Sequence, residues 1–143
     1  MIKEITNHKG LIDFYKSCEL EFSSSEFVGT PLFSYIIETM DKIIAAVTVT
    51  EQNSNIVLDD LAVNKDYRNK GYGKKLLLKV LDRIKSSCNI KHVYIITKEP
   101  EFFSKYGFVP IERKDAPDFS ICFQCDQFQK DCFPIAMVFN LQC

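Results

Sequence analysis

The sequence I-V-L-D-D-L-A-V-N-K-D-Y-R-N-K-G-Y-G-K-K-L-L-L runs from Ile56 to Leu78 and decides the fold. An apolar strand reaches Val63, a short polar loop follows, and Gly71 and Gly73 precede a run of helix formers. Glycine has no side chain, so a ligand can approach the main chain there closely. The first N–H groups of a helix have no internal partner, and the helix dipole adds partial positive charge. Such a turn is a site for phosphate. Arg68, Lys70, Lys74 and Lys75 add four cationic side chains around it. The stretch reads as a polyphosphate cradle.

The cradle is not a P-loop, because no glycine precedes Gly71 by five residues and no Ser or Thr follows Lys74. It also lacks the first glycine of G-x-G-x-x-G. What stands after the strand L-A-V is R-x-x-G-x-G, and downstream comes F-F-S-K-Y-G-F, Phe102 to Phe108. Together these resemble the acetyl-CoA signature of the GNAT N-acetyltransferases. The resemblance implies that the segment Arg68, Asn69, Lys70, Gly71, Tyr72, Gly73 and Lys74 holds the pyrophosphate of acetyl-CoA as cosubstrate. It implies that Leu61, Ala62 and Val63 pair with the pantetheine arm like an added strand. Phe103 falls on the cofactor side of the same pattern.

One hundred and forty-three residues suit a single domain spanning 1–143. Apolar residues make up 46% and charged residues 26%, as in ordinary globular proteins. A net charge of −1 argues against a general nucleic-acid or membrane-surface binder. No apolar run approaches a membrane span and the first residues lack a signal-peptide core, so a cytoplasmic location is expected. Six cysteines are many for such a chain. Cys122, Cys125 and Cys132 form C-x2-C-x6-C, which leaves a zinc site one ligand short; free thiols are the preferred reading.

Residues 2–6 read as a short strand and His8 to Leu20 as an amphipathic helix, with Leu11, Ile12, Tyr15 and Cys18 on one face. Glu21 to Thr30 reads as a loop or irregular helix. Leu32–Met40 and Ile43–Thr50 form a hairpin turning at Asp41-Lys42, and Glu51–Asn55 leads to a third strand, Ile56–Val63. A helix over Lys74–Lys85 follows, with Leu77, Leu78, Leu81 and Ile84 facing the sheet. Lys91–Thr97 is a strand, a short helix begins near Pro100 and ends at Gly107, and Phe108–Glu112 and Phe133–Leu141 are the last strands. Arg113 to Asp131 reads as irregular. The order is β-α-β-β-β-α-β-α-β-β. It is similar to the GNAT fold, an α/β (α+β) class with a mixed, mostly antiparallel sheet of six to seven strands and helices on both faces.

Acetyl transfer to an amine requires a held cofactor, a stabilised oxyanion and an unprotonated amine. The third requirement is where the chain departs from its family. Many GNAT enzymes carry a basic Glu four residues before the position of Leu61, where Val57 stands here. Many carry a Tyr at the position of Phe103 that protonates the leaving thiolate. Asp59 and Asp60 are the candidate replacements, and strand alternation predicts that only one of them faces the acceptor. Thr97, at the end of the neighbouring strand, is a candidate donor to the leaving sulfur. His8 and His92 are less attractive.

The C-terminal pattern, with a short connection before F-F-S-K-Y-G-F and then Asp115-Ala116-Pro117, resembles stand-alone N-acetylglutamate synthases and arsenic-operon acetyltransferases. That branch implies an amino-acid α-amine as acceptor. Peptide or protein N-acetylation is the enzymatic alternative, and a catalytically weak acyl-CoA-binding module is the other. A homodimer remains open.

Overall fold

Two pairs of positive-φ residues fold the first half of the sheet: Met40 (51°) with Asp41 (61°), and Asn53 (51°) with Ser54 (67°). Consecutive left-handed residues make type I′ turns, whose twist matches that of antiparallel strands. They join β2 (Thr30–Thr39) to β3 (Lys42–Gln52), and β3 to β4 (Asn55–Val63). The computed structural model describes residues 2–18, 29–87, 89–117 and 135–141. The first turn is therefore Met40-Asp41, not Asp41-Lys42. Thr39 pairs with Lys42, so Lys42 belongs to the ladder and Met40 is left 93% exposed at the tip.

Seven strands among the described residues form one sheet in the order β1-β2-β3-β4-β5-β7-β6. The others are β1 (Ile2–Ile5), β5 (His92–Thr97), β6 (Val109–Pro110) and β7 (Ile135–Asn140). Every neighbouring pair is antiparallel except β4 and β5, which are parallel. A parallel pair needs a crossover, and the helix α2 (Tyr72–Lys85) supplies it. β6 is shorter than the expected Phe108–Glu112, because Phe108 is drawn into the core and Pro110 has no N–H to extend a ladder.

Helices cover both faces. α1 (Leu11–Ser17), shorter than expected and preceded by a 3-10 turn at His8–Gly10, packs Leu11, Tyr15 and Cys18 on Ile36, Ala46 and Ala62. On the opposite face α2 buries Leu76, Leu77, Val80, Leu81 and Ile84 against Tyr35, Val47, Val49 and Leu58. Leu78, expected on that face, is 41% exposed. The stripe is set by Leu77, Val80, Leu81 and Ile84, with Leu76 one turn before Val80. α3 (Pro100–Ser104) adds Phe103 to the same core.

α2 begins two residues before the expected Lys74. Glycine is a poor helix former, so the sequence places both glycines outside the helix. In the structure only Gly71, at φ 87°, lies outside as the N-cap, and Gly73 sits in the first turn. Most of the expected 21–30 loop, Cys88, the cluster Cys122, Cys125 and Cys132, Cys143, and residues 133–134 of the last strand lie outside the described residues.

Candidate active site

β4 does not run with uniform alternation. Thr48 of β3 pairs with Asp60, but the next residue, Val49, pairs with Leu58, so Asp59 is an extra residue on β4. A bulge of this kind breaks the two-residue period. Its effect is visible in the packing. Leu58 and Leu61, three apart, both join the α2-side core, while Ala62 packs under α1. The expectation that one aspartate faces the acceptor and the other faces away is corrected. Both carboxyls fall on the α1 side: Asp59 accepts a hydrogen bond from Thr50 Oγ1 at 3.4 Å, and Asp60 stands opposite Thr48.

Neither carboxyl is comfortable as an anion. Burial pushes Asp60 up to about 8, with the neighbouring Asp59 charge adding to the effect. Burial pushes Asp59 up to about 6, opposed by the hydrogen bond from Thr50. Two carboxyls so close share protons, and the pair holds about one at neutral pH. Asp60 Oδ2 is fully buried and has no hydrogen-bond partner among the described residues.

The bulge sits where the sheet opens. β4 and β5 are registered through a single pair, Val57 with Tyr94, although β4 continues to Val63 and β5 to Thr97. From Leu58 onward, the edge of β4 facing β5 has no strand partner among the described residues. A backbone edge of that kind can accept an extended chain by strand addition. Leu61, Ala62 and Val63 form its far end.

That end runs directly into the phosphate loop. Asn64 Oδ1 accepts from the Asp66 N–H at 2.9 Å, and Arg68 Nε donates to the Val63 carbonyl at 3.1 Å, stapling the loop to the strand. Asn69 takes φ 64° and Gly71 φ 87°. A methyl group added at Gly71 would meet nothing within 4 Å, but the positive φ resists it. At Gly73 an added Cβ would lie 3.6 Å from Phe102 and 3.8 Å from Val63. The first intrahelical donor of α2 is the Lys75 N–H, to Gly71, leaving the N–H groups of Tyr72, Gly73 and Lys74 without intrahelical acceptors. Lys70 lies over the Tyr67 ring at 5.5 Å and Lys75 over Tyr72 at 5.6 Å, cation–π contacts that keep both charges at the loop. Lys74 is exposed. The donor set and the bare backbone fit a pyrophosphate.

Phe103 belongs to the core on the α2 side of the sheet. It is buried, edge-on to Phe102 at 5.0 Å and to Phe108 at 5.5 Å. The ring next to Gly73 is Phe102, with Tyr106 packed on it at 5.4 Å. Thr97 ends β5, and its hydroxyl oxygen accepts the Glu99 N–H at 2.9 Å, an ST-turn that leads the chain into α3. His92 is exposed, with Nδ1 2.8 Å from Asn140 Oδ1. Among the described residues, no three His, Cys, Asp or Glu side chains are grouped to hold a metal, and no helix is long and apolar enough to cross a membrane.

Comparison with known proteins decides the family. Residues 4–108 match the model of the acetyltransferase (GNAT) family. The chain belongs to the GNAT family. An uncharacterized N-acetyltransferase of Chlorobaculum tepidum is 32% identical over 83 residues, 57% of this chain and 52% of that protein. The chain thus spans about half the length of that curated relative. A GNAT-family acetyltransferase of Staphylococcus aureus Mu50 superposes with TM-score 0.72 at 24% identity, over 99% of this chain and 100% of that one. The N-acetylglutamate synthase of Neisseria gonorrhoeae, solved with coenzyme A and N-acetyl-glutamate, gives 0.71 at 16% identity. That match covers all of this chain and 36% of the synthase. At these identities the likeness is one of fold.

Sequence reasoning missed Phe102, and it missed the polar residues that flank the aspartates from neighbouring elements. Tyr15 carries a signal, since it shares a helical face with Leu11, but nothing in the sequence aims its hydroxyl at Thr48. The structure does, at 2.7 Å.

Proposed function

We propose that this GNAT protein moves an acetyl group from acetyl-CoA directly to a primary amine of a small molecule, most readily the α-amine of an amino acid or analogue. The open edge of β4 at Leu61–Val63 takes the pantetheine arm, and the main-chain N–H groups of the loop from Arg68 to Lys74 take the pyrophosphate. Phe102 lines the cofactor path beside Gly73. Acetyl-CoA supplies the activated acyl carbon, and a main-chain N–H of the β4 segment stabilises the oxyanion that develops on it.

The acceptor arrives as an ammonium ion and must lose a proton. Asp59, charged at neutral pH, takes it, and Asp60 shares it. A base pair titrating near 6 and 8 matches an α-ammonium, whose ordinary value is about 8. A lysine ammonium near 10.4 would cost roughly 3 kcal/mol more at about 1.36 kcal/mol per unit. The Thr97 hydroxyl oxygen is engaged by Glu99, but its hydrogen remains available to the departing sulfur.

The observation that carries this reading is the β4 bulge, which turns two adjacent carboxyls onto one face beside the diverging strands. Thiol release from acetyl-CoA across a panel of amino acids, simple amines and peptides tests it. Turnover fastest with free amino acids supports the reading. Faster turnover of peptide or lysine amines moves the acceptor to another class, and silence across the panel together with tight coenzyme A binding leaves a binding module.

A further inference from the structure

Beneath α1 a row of hydrogen bonds crosses the sheet at right angles to the strands. His8 Nδ1 lies 2.8 Å from Ser34 Oγ, Ser34 Oγ 2.8 Å from Thr48 Oγ1, and Thr48 Oγ1 2.7 Å from the Tyr15 hydroxyl. Ser34 and Thr48 are directly opposed on β2 and β3, and Thr48 and Asp60 on β3 and β4. Ser34, Thr48 and Tyr15 are completely buried, whereas His8 is half-buried at the sheet margin. Two hydroxyls are rarely buried in an apolar layer without cause, because each costs free energy unless fully bonded.

Hydrogen counting gives the row a direction. Each hydroxyl has one hydrogen, so every link must be donated from the same side. In one polarity Tyr15 donates to Thr48, Thr48 to Ser34, and Ser34 to His8 Nδ1. That arrangement leaves the Tyr15 oxygen as the acceptor end, on the side of the row where the aspartates lie. Directly opposed residues have Cβ atoms about 5 Å apart. Asp60 Oδ2 is buried with no hydrogen-bond partner among the described residues, and a rotation of its side chain toward these hydroxyls is the movement the scheme requires.

We infer that His8, Ser34, Thr48 and Tyr15 carry the proton taken from the acceptor amine out of the site, from Asp60 to solvent. The inference rests on the acid-pair reading given under Proposed function. In one pass the Asp60 O–H bond breaks and an O–H bond forms at Tyr15. Tyr15, Thr48 and Ser34 each hand their own hydrogen to the next atom. An N–H bond forms at His8 Nδ1, and the His8 Nε2 proton leaves to water. One proton moves and no electrons change hands; rotation of the hydroxyls and return of His8 to its Nε2–H tautomer by proton exchange with water reset the row. The hops are concerted, because burial raises Tyr15 and disfavours a phenolate. Tyr15 from α1 is within electrostatic reach of both carboxyls, Thr50 of β3 donates to Asp59, and Thr48 of β3 stands opposite Asp60.

His8 and Thr48 are positioning residues in this scheme and touch no substrate, so the test separates relay from scaffold. The assay is thiol release from acetyl-CoA with the fastest amino acid of the panel, at low buffer concentration. H8A is expected to lose about tenfold in kcat, the lower part of the usual range for proton-transfer groups, with coenzyme A affinity unchanged. Added imidazole should restore it. T48V should lose a similar factor and not be rescued, because the row is cut upstream of the imidazole, while T48S should recover most of the rate. The double variant should be no slower than T48V alone. Wild-type kcat in H8A, or imidazole rescue of T48V, overturns the relay. If D60N keeps wild-type turnover, the acid-pair reading itself fails, whatever His8 does. If no amine turns over, carboxyl carbon NMR of the unliganded protein still decides. A pair midpoint that moves in T48V and returns in T48S keeps the link, and one that ignores both breaks it.

Discussion

Two polar regions lie on either side of Leu61, and they are made of different material. Downstream, from Leu61 to Lys74, the proposed cofactor recognition rests on backbone: a strand edge without a partner among the described residues, a turn with Asn69 and Gly71 at positive φ, and the first N–H groups of α2. Upstream, around Asp59 and Asp60, everything rests on side chains gathered from the 3-10 turn, α1, β2, β3 and β4. Backbone recognition tolerates sequence change as long as the glycines stay. Side-chain chemistry does not, and the motif resemblance places Val57 and Phe103 where many GNAT enzymes carry Glu and Tyr. On the proposed function, the cofactor half of the site is kept while the proton-handling half is rebuilt a few residues away.

The sharpest way to break that contrast is to neutralise one carboxyl. D60N and D59N are each expected to lower kcat by about 10²–10⁴, the range for loss of a general base. Coenzyme A affinity, measured by calorimetry, should stay within about twofold, about 0.4 kcal/mol. Loss of both together would mean that the two regions are one site energetically.

The reverse perturbation targets the cradle. Gly73 is better suited to it than Gly71, whose φ of 87° strains any side chain. A Cβ at Gly73 makes only ordinary contacts, so G73A should fold normally, whereas G73L should project into the pyrophosphate path. Coenzyme A affinity should fall about tenfold or more, about 1.4 kcal/mol, with little change in melting temperature. Equal affinity in G73L and wild type would move the cofactor off this turn.

The two regions also differed in how much the sequence disclosed. R-x-x-G-x-G announces a turn before a helix, and Gly71 at φ 87° bears that out, although Gly73 falls inside the first turn of α2 rather than before it. The order of elements along the chain and the existence of both covering helices were legible for a related reason, since period and turn chemistry are local. The acid pair was legible only as two letters. Whether Asp59 and Asp60 share a face depends on a one-residue slip against β3, and nothing in V-L-D-D-L encodes that slip. Likewise Phe102 and Phe103 are identical in sequence, and only packing against Phe108 and Gly73 assigns one to the core and the other to the loop.

Stability against pH sharpens the contrast without any substrate. Both carboxyls have folded-state values raised above the usual range, so the folded chain binds their protons more tightly than the unfolded chain does. Their contribution is fully present below about pH 4 and is lost as pH rises through about 6 and then about 8. Denaturant melts between pH 5.5 and 9 should show this part of the stability declining, and D60N should flatten the decline. A wild-type curve that rises over that window, or a D60N curve that tracks it, would place the pair in water rather than under α1.

The smallest effect is expected from Y15F. It removes one hydroxyl and leaves the ring packed against Leu11, Ile36 and Ala46. Thr48 keeps Ser34 as partner, and the loss should be about 1 kcal/mol, a typical buried hydrogen bond. T48V is the harsher cut, because it removes two hydrogen bonds at once, the one to Tyr15 and the one to Ser34. The ordering is the test. If Y15F destabilises as much as T48V, Thr48 is not the hub of the row. Chemical melts of the two variants at pH 6, where the pair retains a proton, read the difference.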